Sequence, residues 1–226
     1  MSDAPATVTH PAFAHQFDNL GQQRDVAVFG MWVFLVTEIM FFGGLFAGYT
    51  VYRSMYPHAF AIASQYMNVT VGALNTGVLI CSSLTMVLAV QAAQLGRNRV
   101  VIWFLLATIA FGLVFLGVKA YEYHEKWVEQ VVPGFNFHIH LPEARQIELL
   151  MVFYFVMTGM HALHMVIGVG LLSYLIWRAS KDEFGPDYFN PVDNIGLYWH
   201  FVDIVWIFLF PMLYLIGAHL PRMIHE

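Results

Sequence analysis

The stretch Gly196-Leu-Tyr-Trp-His-Phe-Val-Asp-Ile-Val-Trp-Ile-Phe-Leu-Phe210 sets His200 and Asp203 one helical turn apart inside an apolar run. With its flanks this run is long enough to cross a bilayer, because a helix rises about 1.5 Å per residue against a hydrocarbon slab about 30 Å thick. An ionisable side chain at that depth costs several kcal/mol unless it is paired or lines a cavity, so it points to function by default.

The rest of the chain reads the same way. Of 226 residues, 59% are hydrophobic, 16% aromatic and only 11% charged, which no ordinary soluble domain matches. Ten Lys and Arg stand against fifteen Asp and Glu without a basic run, which excludes a nucleic-acid partner. The single cysteine, Cys81, has no second thiol to form a disulfide or a thiolate metal site. Residues 1–25 contain Asp3, Asp18 and Asp25 and no apolar core, so no cleavable signal peptide of the usual form is expected.

Hydropathy in windows of about 19 residues predicts five spans. They cover 26–52, 69–95, 100–121, 149–177 and 195–220, with 1–25 an N-terminal segment and 221–226 a tail. The expected fold is an all-α integral membrane bundle of five helices, one domain over 26–220. Tyr56-Pro57-His58, Leu95-Gly96-Arg97-Asn98, Gly185-Pro186-Asp187 and Asn190-Pro191 carry the turn chemistry between spans. The connection 122–148, with Glu122, Glu125, Lys126, Glu129, Glu143 and Arg145, reads as a wet, mixed-charge loop.

Arg24, Arg97, Arg99, Arg178 and Lys181 oppose Arg53, Lys119, Lys126, Arg145 and Arg222 in a split by alternate sides. The count is even, and the tight Arg97, Arg99 turn favours a cytoplasmic N-terminus. Small residues at Gly44 and Gly48, at Gly72 and Gly77 with Ser82 and Ser83, and at Gly168 and Gly170 mark expected helix–helix interfaces.

Glu38, His161, His164, His200 and Asp203 stand out as polar groups inside the spans. The pairs His161/His164 and His200/Asp203 each share a helix face at i, i+3, and a facing Glu38 can accept their hydrogen bonds. A structural lattice that ties helices together is one reading. A haem held by histidines of two helices, or a metal held by His and carboxylates, is another. Dinuclear carboxylate bundles use paired Glu-x-x-His motifs, which these spans lack, and this favours the lattice. A transporter would show Gly or Pro breaks in matching halves, yet Pro211 is the sole proline well inside a span. His138 and His140 alternate as a surface metal pair would, but without a third ligand. Glu122, Glu125 and Glu129 suit either docking of a basic partner or a hydrated helix cap.

The segments Thr37-Glu-Ile-Met-Phe-Phe-Gly-Gly-Leu-Phe46, Ala73-Leu-Asn-Thr-Gly-Val-Leu79, Lys119-Ala-Tyr-Glu-Tyr123, Thr158-Gly-Met-His-Ala-Leu-His-Met-Val-Ile-Gly168 and Tyr198-Trp-His-Phe-Val-Asp-Ile-Val-Trp206 follow in fixed order. In these the chain resembles cytochrome c oxidase subunit III. The resemblance implies a non-redox subunit of a proton-pumping haem-copper terminal oxidase in aerobic respiration, in the bacterial plasma (inner) membrane. No cofactor is then expected in this chain; haem and copper would sit in subunits I and II.

It further implies packing on subunit I, phospholipid bound in a V-shaped cleft, and support of proton uptake and turnover stability. Lipid contacts are expected at Trp32, Glu38, Trp199, His200 and Arg178, and Glu38, His161, His164, His200 and Asp203 match the family's buried polar positions. Many family members have seven spans, and this chain resembles them from the third onward. A further chain can then take the place of the first two helices. Five-span forms serve either cytochrome c or quinol as electron donor.

Overall fold

The computed structural model describes residues 17, 19–137, 143–186 and 188–216. In chain order these form α1 (Leu20–Met55), α2 (Pro57–Ser64), α3 (Val69–Gln94), α4 (Asn98–Val128), β1 (Val131–Val132), β2 (Asn136–Phe137), α5 (Ala144–Ala179) and α6 (Asn190–Tyr214). Five of the helices are long and apolar enough to cross a membrane, and they correspond to the five expected spans.

Local signals explain the boundaries. Asn19 caps α1 by accepting from Gln22 N at 2.8 Å, and Asn68 caps α3 by accepting from Val71 N. Gly96 ends the α3–α4 turn at φ +68°, a left-handed backbone that costs glycine little. Pro57 and Pro191 open α2 and α6, where the missing N–H is not needed.

The helices pair along stripes that alternate steps of three and four. On α3 the buried stripe runs Gly72, Asn75, Leu79, Ser82, Met86, Ala89; on α4 it runs Val101, Leu105, Thr108, Gly112, Phe115, Lys119. A mean step of 3.5 is the coiled-coil repeat, and it holds these two antiparallel helices in contact over their length. Polar side chains of α3 finish the seam: Ser82 Oγ donates to Thr108 O at 3.3 Å and Asn75 Nδ2 to Phe115 O at 3.4 Å.

α6 lies at the centre, against α1, α3 and α5. Half of its apolar window is buried, against 11% for α1, so α1 is the peripheral helix. α1 touches the bundle through a heptad stripe of Leu35, Phe42 and Tyr49. The Tyr49 hydroxyl donates to Met212 O, one of the last-turn carbonyls of α6 that has no partner within its own helix.

Trp199 wedges the centre. Its buried indole lies between α4 and α5, where a Cβ on Gly112 would stand 2.9 Å from Cη2 and one on Gly168 would stand 2.8 Å from Cζ3. Its Nε1 donates to Ser82 Oγ at 3.1 Å, so one side chain joins α6 to α3 while filling the gap to the other two helices. Gly168 and Gly72 serve as expected, whereas Gly44, Gly77 and Gly170 have nothing within 4 Å of the Cβ position.

Three features differ from the sequence reading. α4 continues to Val128, so the start of the supposed loop is helix, with Glu122 and Lys126 buried at 1% and 2% exposure. The short α2 packs Phe60 and its alanines on α5, and a two-stranded antiparallel hairpin follows α4. α1, α5 and α6 begin at Leu20, Ala144 and Asn190 rather than at 26, 149 and 195. His138 and His140 lie outside the described residues.

Gly168→Ala forces a rigid indole to move and is expected to destabilise the bundle by about 1 to 3 kcal/mol. Thermal unfolding of the detergent-solubilised chain measures this, with Gly170→Ala near neutral as its control.

Candidate functional site

Hydrocarbon offers no hydrogen bonds, so the polar residues inside the spans are the natural place to look for function. The structure joins only two of the five singled out above. Glu38 of α1 meets His164 of α5, Oε2 to Nε2 at 3.0 Å. His164 Nδ1 lies 2.8 Å from Met160 O, which can only accept, so Nδ1 carries hydrogen. Nε2 then either donates to a carboxylate or accepts from a protonated Glu38. The pair shares one proton and is neutral in sum either way.

The other three stand apart, which corrects the picture of a single lattice. His161 is 1% exposed, and neither ring nitrogen has a hydrogen-bond partner among the described residues. Its ring packs on Phe115 and Trp206 at 5.4 and 5.2 Å between centroids. His200 turns toward α3, Nδ1 to Ser83 Oγ at 2.7 Å. Asp203, on the same face of α6, is buried with both carboxylate oxygens unpartnered among the described residues. Helical spacing put these residues on shared faces, but the faces meet different neighbours.

A second polar cluster is denser than the first. Lys119 Nζ donates to Glu122 Oε2 at 2.8 Å and to the hydroxyl of Tyr214, which itself donates to Glu122 Oε1 at 2.5 Å. The ammonium lies 4.3 Å from the Trp206 ring centroid and 4.9 Å from that of Tyr214. The cluster ties α4 to α6 near the far end of α4, about 32 Å along it from Asn98. Next to it, Thr158 Oγ1 donates to Tyr154 O at 2.6 Å and so receives the Tyr123 hydroxyl at 2.5 Å, joining α4 to α5. In the sequence Lys119 counts toward topology and Glu122 toward a wet loop, and both belong to the Lys119–Tyr123 segment that carries the resemblance. The Lys-x-x-Glu spacing at the end of an apolar span was the available signal.

The expected lipid contacts also divide. Trp32, 52% exposed, lines with His200 a wholly apolar groove of about 480 Å³ between α1 and α6. Glu38 keeps 19% of its side chain exposed. Trp199 is fully buried between Gly112 and Gly168 and presents no lipid-facing surface, which corrects that expectation. Arg178 is engaged by Glu183, Nε to Oε2 at 2.6 Å, and by the Tyr188 hydroxyl at 3.4 Å. Among the described residues no group of three or more His, Cys, Asp or Glu could hold a metal ion.

A family model described as cytochrome c oxidase subunit III matches residues 146–218, which hold His161, His164, His200 and Asp203. Cytochrome c oxidase subunit 3 of Thermostichus vulcanus is 32% identical over 218 residues, covering 93% of this chain and 97% of that protein. The chain belongs to the cytochrome c oxidase subunit III family. The subunit of that name from Corynebacterium diphtheriae is 35% identical over 83% of this chain and 86% of its own length. A probable quinol oxidase subunit 3 of Staphylococcus haemolyticus is 27% identical over 83% and 88%.

As a haem-copper oxidase subunit III, the chain is a multi-pass membrane protein that associates with the other subunits of such an oxidase. Of its buried ion pairs, His164–Glu38 ties α5 to α1, whereas Lys119–Glu122 lies within α4 and reaches α6 through the Tyr214 hydroxyl. Removing one partner of a buried pair strands the other charge at about 3 to 5 kcal/mol. Lys119→Met should therefore destabilise the subunit by that amount, and the Lys119→Met/Glu122→Gln double variant should recover much of it; thermal unfolding of both in detergent measures the coupling. Glu38→Gln keeps a donor for His164 Nε2 and should assemble normally, whereas Glu38→Leu leaves that nitrogen unpaired at about 1 to 3 kcal/mol. Subunit occupancy in the purified oxidase distinguishes the two.

Proposed function

We propose that this chain is the non-redox subunit III of a proton-pumping cytochrome c oxidase in a bacterial plasma membrane, with its N-terminus on the cytoplasmic side. It packs on subunit I beside the chain that carries copper with it, binds phospholipid, and sustains proton uptake and the lifetime of the oxidase during turnover. The observation that carries this reading is the use made of its polar side chains. Glu38, Lys119, Glu122 and Ser83 each bond to a residue of another helix or to a neighbour on the same one. Such groups stabilise a bundle, and a scaffold beside a redox centre needs little more.

Lipid binding is supported by the apolar groove between α1 and α6. Its walls, Leu35, Ile39, Phe42, Phe46 and Phe208 among them, suit acyl chains, with Trp32 and His200 as the heteroatom-bearing members of the lining. Use of cytochrome c is favoured by relatives at 32% and 35% identity that are named cytochrome c oxidase subunit 3. A quinol oxidase subunit III is the second reading, since the Staphylococcus haemolyticus relative is named as one.

Affinity capture of the tagged chain from native membranes tests both. The captured complex should contain haem and copper and reduce dioxygen with reduced cytochrome c as donor. Oxidation of quinol but not cytochrome c would select the second reading, and capture without any haem-copper core would overturn the proposal.

A further inference from the structure

The bundle has two lateral grooves beside α6, and they differ in chemistry. The groove against α1 is apolar throughout, whereas the one against α3 has a polar head and an apolar body. The head is a cavity of about 290 Å³ to which Gln91 and Gln94 of α3 and Asp193 and His200 of α6 contribute polar groups. That volume is at the lower end of small-molecule sites. The body, about 480 Å³, shares Val87 and His200 with the head, so the two run on into each other. It opens on the hydrocarbon through Ile80, Leu84 and Ile207, all of them exposed.

Depth and charge decide what can enter. Asp193 stands in the first turn of α6. His200 is seven residues further on along the same face, about 10.5 Å deeper along the axis. A phosphate at that depth would carry its charge into hydrocarbon and needs a cation to meet it. Neither cavity counts a lysine or arginine among the described residues that line it, and Asp193 adds a carboxylate, which disfavours an anion. The guest that fits is an uncharged head on an apolar tail.

The polar groups narrow the head further. The amides of Gln91 and Gln94 both donate and accept, and His200 does either according to its tautomer. Its Nδ1 lies 2.7 Å from Ser83 Oγ. Where Ser83 donates to Nδ1, Nε2 carries the hydrogen and donates to a carbonyl; where Nδ1 donates to Ser83, Nε2 accepts from a hydroxyl. A head whose oxygens are carbonyls when oxidised and hydroxyls when reduced needs such a lining. A para-quinone holds its two oxygens about 5 Å apart, and a hydrogen bond of about 2.8 Å at each end extends this to about 11 Å. The two turns between Asp193 and His200 match that span.

We infer that the α3–α6 groove is a binding site for a membrane quinone or its quinol. The ring lies between the Asp193 end, where Gln94 joins it, and His200, and the isoprenoid tail leaves past Leu84 and Ile207 into the bilayer. The chain binds the ring and passes no electron through its own side chains. The inference therefore goes beyond the role proposed above without changing it, and it holds for either electron donor. The two grooves then take different guests, acyl chains beside α1 and a ring with two opposed oxygens beside α3.

Photolabelling of the intact, purified oxidase tests this. An azido-benzoquinone with a decyl tail should mark peptides of α3 or α6 that line the groove, identified by mass spectrometry. Excess decylubiquinone should suppress the label, and excess phosphatidylglycerol should not. Gln94→Leu and Asp193→Leu should each lower the label about tenfold, counted per copy of this chain retained in the complex. Label confined to other subunits, equal suppression by phosphatidylglycerol, or label undiminished by both substitutions would overturn the inference. Purification of the chain without a haem-copper core would instead overturn the proposed function, while groove peptides labelled in that preparation would still support the site.

Discussion

A hydrocarbon solvent supplies neither donors nor acceptors, and this one constraint organises the molecule. Apolar burial hardly distinguishes helix–helix contact from helix–lipid contact in a bilayer, so close packing and internal hydrogen bonds decide how the helices meet. Trp199 shows both at once. Its indole fits a slot that only glycines at 112 and 168 leave open, and its N–H ends on Ser82. Ser82 in turn donates to the Thr108 carbonyl, so α6, α3 and α4 are joined by consecutive bonds.

The same constraint separates what was legible in the sequence from what was not. Spans are legible because their apolar runs are long. The close approach at Gly168 follows from small-residue spacing, and a histidine partner for Glu38 follows from the need of a buried carboxylate for one, although only His164 of the expected pairs meets it. The end of α4 was hidden for the opposite reason. A hydropathy window counts Lys119, Glu122 and Lys126 as charges in water, whereas the fold pairs Lys119 with Glu122 at 2.8 Å and Lys126 with Glu129 at 2.6 Å. Pairing depends on rotamers and on Tyr214, 92 residues further along, which no local window sees.

The candidate site divides in the same way. Residue type and depth singled out His161, His200 and Asp203 as buried polar groups, but depth along a helix does not give azimuth between helices. His161 turns toward Phe115 and Trp206, His200 toward Ser83, and Asp203 toward the α3 side. Trp199 stands among the lipid contacts that the family resemblance implies. Its two facing glycines, on different helices, place it inside instead. The outcome is a bundle in which Glu38, Lys119, Ser82 and Ser83 bond to neighbours while His161 is held by ring packing alone among the described residues.

The central claim is that these buried groups hold helices, lipid and neighbouring subunits in place and carry no redox centre. Haem and copper content of the oxidase, measured before and after this chain is stripped by detergent, tests it most directly. The account predicts unchanged haem and copper per catalytic core, with turnover that starts normally and then decays faster. Loss of haem or copper in proportion to the chain removed would contradict it.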